Sequence, residues 1–99
     1  NAWIVTEDGH LVTHPLGPKV LSGVTRLTVL RLAAQSQIKV IERPFAINEL
    51  QSAREAFLTS TSSHVLPVTR IDGHPIGNGR PGPITMRLRE LYEAELTRS

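Results

Sequence analysis

The sequence predicts an α/β domain on three observations: short β-prone runs alternate with helical periodicity, Asp-Gly pairs punctuate those runs, and a proline- and glycine-rich loop precedes a final amphipathic stretch. The first two runs, Trp3 to Thr6 and His10 to Thr13, flank Glu7-Asp8-Gly9, and an Asp-Gly pair in that setting is a hairpin signal. Proline fixes φ and removes a donor, so His14-Pro15-Leu16-Gly17-Pro18 ends regular structure and a loop leads to Leu21-Ser22-Gly23. A helix is expected from Val24 to about Gln35. Leu27, Leu30 and Ala34 recur there at helical spacing, Val29, Leu32 and Ala33 widen the apolar face, and Arg26, Arg31 and Gln35 are left for the other side.

Ile38 to Glu42 reads as a short strand stopped by Pro44, and Ile47 to Arg54 as a short helix with Asn48 or a neighbour as its N-cap. Ala56-Phe57-Leu58-Thr59 is an apolar run of strand length that passes into the hydroxyl cluster Thr59-Ser60-Thr61-Ser62-Ser63. His64 to Ile71 reads as another strand, turning at Asp72-Gly73. Beyond the loop Gly77 to Pro83 a terminal helix begins near Ile84, with Ile84, Leu88, Leu91 and Leu96 inward and Arg87, Glu90 and Glu93 outward.

With 99 residues the chain has room for one core, and 39% hydrophobic with 20% charged residues is a globular balance. No apolar run is long enough to cross a bilayer, so no membrane partner is expected. The absence of cysteine excludes disulfides and thiolate metal sites. A net charge of +2 arises from eleven basic and nine acidic residues scattered along the chain, with four aromatic residues, which argues against nucleic acid. No signal-peptide pattern precedes the first strand, and a cytoplasmic setting is the default expectation. The chain starts at Asn1 and its only methionine is Met86, so it is expected to be part of a longer product.

Two segments could hold an anion. Leu21-Ser22-Gly23-Val24-Thr25 puts a glycine and two hydroxyls at a helix start, where free N–H groups and the helix dipole favour negative charge, although ordinary capping accounts for the same pattern. Ser60 and Thr61 add hydroxyl and backbone donors at the end of a strand, although a serine- and threonine-rich turn has the same composition. Whether the two meet is a tertiary question that spacing leaves open. Gly77-Asn78-Gly79-Arg80-Pro81-Gly82 fits G-x-G-x-x-G, but Pro81 and Pro83 remove donors that phosphate would need, and no second strand follows. His10, His14, His64 and His74 lack metal-ligand spacing, and Ser60 or Ser63 with His64 lacks the G-x-S-x-G elbow of a hydrolase. Asp8 and Asp72 precede glycines at turns, where their side chains bond local backbone.

Taken in order, Asp8-Gly9 with Thr13-His14-Pro15, Leu21-Ser22-Gly23-Val24-Thr25-Arg26, Phe57-Leu58-Thr59-Ser60-Thr61, Pro67-Val68, and Ile71-Asp72-Gly73 with Ile76-Gly77-Asn78-Gly79-Arg80-Pro81-Gly82-Pro83 resemble fold-type IV (class IV) pyridoxal-phosphate aminotransferases. The Thr59-Ser60-Thr61 strand end leans toward the D-amino acid (D-alanine) aminotransferases, since branched-chain enzymes more often carry Gly-Thr-Ala there. The resemblance implies that residues 1–99 form the C-terminal part of the D-amino acid aminotransferase-like fold, with a mixed, strongly curved sheet flanked by helices. It implies pyridoxal 5'-phosphate as cofactor, with Leu21 against its ring, Gly23, Val24 and Thr25 at its phosphate, and Ser60 and Thr61 lining it from the opposite strand. It further implies a homodimeric parent acting on an amino acid and a 2-oxo acid. The catalytic lysine and the carboxylate facing the pyridine nitrogen would lie in a missing N-terminal half, because neither Lys19 nor Lys39 matches the catalytic position. No catalytic residue is therefore expected in this chain, which would be inactive alone. A branched-chain L-amino acid aminotransferase, an aminodeoxychorismate lyase and a noncatalytic binding or assembly module are the alternatives.

Overall fold

The computed structural model describes residues 1–15, 24–60 and 62–98. Five strands form the main sheet in the order β3-β2-β1-β4-β5: β1 (Ala2–Val5), β2 (Leu11–Thr13), β3 (Val40–Glu42), β4 (Glu55–Ser60) and β5 (His64–Pro67). Three helices accompany it: α1 (Val24–Gln35), α2 (Ile47–Ser52) and α3 (Pro83–Arg98). A small ribbon pairs β6 (Arg70–Ile71) with β7 (His74–Pro75). The first hairpin forms as expected around Gly9, whose φ of +81° suits the tight turn. β2 and β3 run parallel through α1 while all other pairs are antiparallel, so the sheet is mixed.

The expected strong curvature is not found. The sheet is open, with β3 and β5 as its edges, and residues pair one for one across every ladder of it. Strong bending of a sheet needs bulges or glycine kinks, and none interrupts these registers. The expected strand from His64 to Ile71 is also broken. β5 ends at Pro67, whose nitrogen faces the open edge of the sheet, Val68 makes one further bond in register by donating to the Ala56 carbonyl at 2.9 Å, and the chain then leaves the sheet for β6.

Strand alternation sends Trp3, Val5, Leu11, Phe57 and Val65 to one face, where they pack against Val29, Leu32 and Ala33 of α1 and Leu88 and Tyr92 of α3. Trp3 and Phe57 are direct cross-strand partners with rings stacked at 5.6 Å. The other face carries Ile4, Val12 and Ala56, covered by Ala53, Ile76 and the half-buried Phe45, Leu50, Val68 and Ile71.

All three helices differ from expectation in detail. The buried positions of α1 are Thr25, Arg26, Val29, Leu32 and Ala33, so Arg26 points inward while Leu27 and Ala34 are exposed. Apolar residues occupy most of the circumference of α1, so periodicity selects its face poorly. The partners that Arg26 finds beneath the helix select it instead. On α3, Leu88 is buried as expected, but Leu96 is exposed and Thr85 and Tyr92 are buried in addition. In α2 the cap position is Ala46, with no side-chain cap, and Asn48 lies within the helix, accepting from the Glu49 N–H at 3.0 Å.

Candidate functional site

The first turn of α1 meets the end of β4. Thr25 is buried and its hydroxyl donates to the Ser60 carbonyl at 3.4 Å, while the Tyr92 hydroxyl donates to Thr25 Oγ1 at 3.3 Å. Thr25 and Ser60, one described residue from each of the two hydroxyl-bearing segments that the sequence singles out, thus meet, which their spacing could not establish. Val24, the first residue of the helix, is 74% exposed. A helix leaves the N–H groups of its first turn without intrahelical acceptors, and no acidic residue stands in that turn to oppose an anion. Ser60 is exposed, and its Oγ accepts from the Ser63 N–H at 3.0 Å and lies 3.5 Å from Ser62 Oγ. Leu21, Gly23 and Thr61 lie outside the described residues, as does Lys19. Lys39 is exposed just before β3, which is separated from β4 by two strands.

Buried polar contacts support this junction from below. The Arg26 side chain is wholly buried, with Nη2 donating to Glu42 Oε1 at 2.6 Å, Nη1 donating to Thr13 Oγ1 at 3.3 Å, and its guanidinium carbon 5.6 Å from the Trp3 ring centroid. Its Nε has no partner among the described residues. Trp3 Nε1 donates to Thr59 Oγ1 at 2.9 Å, fixing β1 to β4 one residue before Ser60. Sequence reasoning left Arg26 on the outer side of its helix. The signal that could have found it was the pairing of β2 with β3, which sets Thr13 opposite Glu42, and that is visible only once the strands are paired.

The start of the last helix shows why the glycine-rich loop is not a phosphate site. The buried Glu55 carboxylate accepts from the Thr85 N–H at 2.7 Å and from the Ile84 N–H at 3.3 Å, so the anion position at this helix start is already filled from within the chain. A Cβ on Gly82 would stand 2.0 Å from both Cγ and Cδ of Glu55, and one on Gly77 would stand 2.3 Å from the Arg54 carbonyl oxygen. These glycines serve close packing, Gly77 against the Arg54 backbone and Gly82 against the Glu55 side chain. A polar cleft of 560 Å³ lined by Glu7, Gln51, Ser52, Ala53, Arg54, Pro75 and Gly77 lies beside this end of β4, away from Ser60. Among the described residues no group of three or more His, Asp or Glu side chains is placed to hold a metal, and no helix is long and apolar enough to cross a membrane.

Comparison with known proteins brings these features together. The family described as "Amino-transferase class IV" matches residues 1–71. The D-alanine aminotransferase of Staphylococcus aureus strain N315 is 39% identical over 93 residues, covering 94% of this chain and 33% of the relative. The T.th. branched-chain amino acid aminotransferase, solved with pyridoxamine 5'-phosphate, superposes with a TM-score of 0.87 at 36% identity, over 93% of this chain and 30% of that one. The branched-chain amino acid aminotransferase from Escherichia coli gives a TM-score of 0.87 at 34% identity, over 93% and 31% of the two chains. The chain spans about a third of the length of the curated relatives it matches.

Proposed function

The chain belongs to the class IV amino-transferase family, and on that premise we propose that it is the C-terminal part of a pyridoxal-phosphate-dependent aminotransferase that moves an amino group from a D-amino acid to a 2-oxo acid. The observation that carries this reading is the junction of Thr25 with Ser60, which sets an unopposed helix start beside the end of a strand. The donor set fits a phosphate ester: the N–H groups of Val24 and Thr25 would receive the phosphate, with Gly23 before them in the sequence, Ser60 would line the cofactor from the end of β4 with Thr61 next in the sequence, and Leu21 would meet the ring. The Thr25 hydroxyl donates to the Ser60 carbonyl, so in this reading its part is to hold the helix start while its N–H would serve the phosphate. When bound, pyridoxal phosphate supplies an electron sink for chemistry at the amino-acid α-carbon. The lysine that anchors it and the carboxylate facing its ring nitrogen belong, in this reading, to the remainder of the enzyme, so the 99-residue chain alone is inactive. The complete enzyme is read as a cytoplasmic homodimer with no nucleic-acid or membrane partner.

Replacing Val24 by proline tests the seat, because proline is tolerated at the first position of a helix and removes its N–H while keeping a helical φ, at a side chain that is exposed. In the complete enzyme the variant is expected to bind pyridoxal phosphate about tenfold more weakly while pyridoxal, which lacks the phosphate, binds as before. Equal affinity of wild type and variant for the phosphate ester would refute the seat.

The D-specific reading draws support from Thr59-Ser60-Thr61 and from the similarity to D-alanine aminotransferase. The branched-chain L-amino acid reading draws support from the structural similarity to the T.th. and Escherichia coli enzymes. D-Alanine and L-leucine, offered separately as amino donors to the complete enzyme, distinguish them. Turnover of D-alanine is the expected result, and activity confined to L-leucine would reverse the assignment.

A further inference from the structure

Tyr92 of α3 reaches both walls of the proposed phosphate seat. It is buried, its hydroxyl donates to Thr25 Oγ1 at 3.3 Å, and its ring lies 5.0 Å from the His64 ring at an interplanar angle of 29°. His64 opens β5 directly after the turn that follows Ser60, and it holds a left-handed φ of +57°, a conformation that a non-glycine residue keeps only when its surroundings favour it. One tyrosine therefore touches the helix start through its oxygen and the strand turn through its ring.

We infer that Tyr92 is a positioning residue for the phosphate seat: by donating to Thr25 Oγ1 it leaves the Thr25 hydroxyl proton aimed at the Ser60 carbonyl, and so holds the first turn of α1 in register with the end of β4. The inference rests on the proposed function above. A hydroxyl has one proton and two lone pairs, and Thr25 uses the proton toward Ser60 and a lone pair toward Tyr92, so the two bonds form a directed chain from α3 through α1 to β4. Both bonds are long for hydroxyl donors, so each contributes little to stability. What they fix is the placement of a helix end whose N–H groups must meet phosphate oxygens within a few tenths of an ångström.

Tyr92→Phe keeps the ring against His64 and removes only the hydroxyl. In the complete enzyme it is expected to weaken pyridoxal phosphate binding about tenfold, with pyridoxal affinity unchanged and the melting temperature within a few degrees of wild type. If Tyr92 acts through Thr25, the double variant Tyr92→Phe/Thr25→Val binds no worse than Thr25→Val alone, whereas independent effects would multiply. A Tyr92→Phe enzyme that binds both ligands as wild type does, that loses affinity for both equally, or whose loss multiplies with that of Thr25→Val overturns the inference. Val24→Pro separates this from the seat itself. If Val24→Pro weakens phosphate-ester binding and Tyr92→Phe does not, only the positioning role falls; if Val24→Pro has no effect, the seat and the inference fall together.

Discussion

Gly82→Ala is expected to lower the stability of the domain by about 3–5 kcal/mol, a large part of the margin a domain of this size holds. The added methyl would stand 2.0 Å from Cγ and Cδ of Glu55, atoms in the middle of a buried side chain rather than at a free tip. Relief requires Glu55 to leave the start of α3, which strips the Ile84 and Thr85 N–H groups of their acceptor. The measurement is the urea midpoint of Gly82→Ala, Glu55→Ala and the double variant. Once Glu55 is shortened the new methyl has room, so the double variant is expected to be no less stable than Gly82→Ala alone. Additive losses would show that the collision with Glu55 is not the cause.

Glu42→Ala is the second large effect, expected at about 2–4 kcal/mol, and it should exceed the cost of Arg26→Met, expected at about 1–2 kcal/mol. The asymmetry follows from burial. The Arg26 side chain is fully enclosed whereas Glu42 is 50% exposed, so removing the glutamate strands a buried cation, and removing the arginine leaves a carboxylate that water can reach. Exposure of Glu42 screens part of the pair, which holds the figure below that of a fully enclosed ion pair. Thermal or urea unfolding of the two variants decides the matter, and an Arg26→Met variant less stable than Glu42→Ala would refute this ordering.

The parts of the fold that were legible in the sequence are those written locally. The hairpin at Gly9, the strand running into Ser60 and the start of α3 each follow from a few adjacent residues. The misread parts depend on distant partners. Arg26 lies inward because Thr13 and Glu42 await it on neighbouring strands, and Tyr92 is buried because α3 crosses the start of α1. Strand His64 to Ile71 ends at Pro67 because the chain turns away from β4 there to form the separate ribbon of β6 and β7, a departure that no residue of the run announces. For the site, each hydroxyl-bearing segment was visible separately, and only the folded chain brings Thr25 to Ser60. The capping role of Glu55 left no local trace, since its partners Ile84 and Thr85 stand 29 and 30 residues away.

The contact between Tyr92 and Thr25 spans 67 residues. Synthesis proceeds from the N-terminal end, so a growing chain can pair β1 with β2 and wind α1 long before α3 exists to reach them. During that interval the helix start is made but untethered, and contacts closed over such sequence distances form late. Under the proposed function, a phosphate ester would therefore meet a fixed helix start only once α3 has emerged and packed against α1.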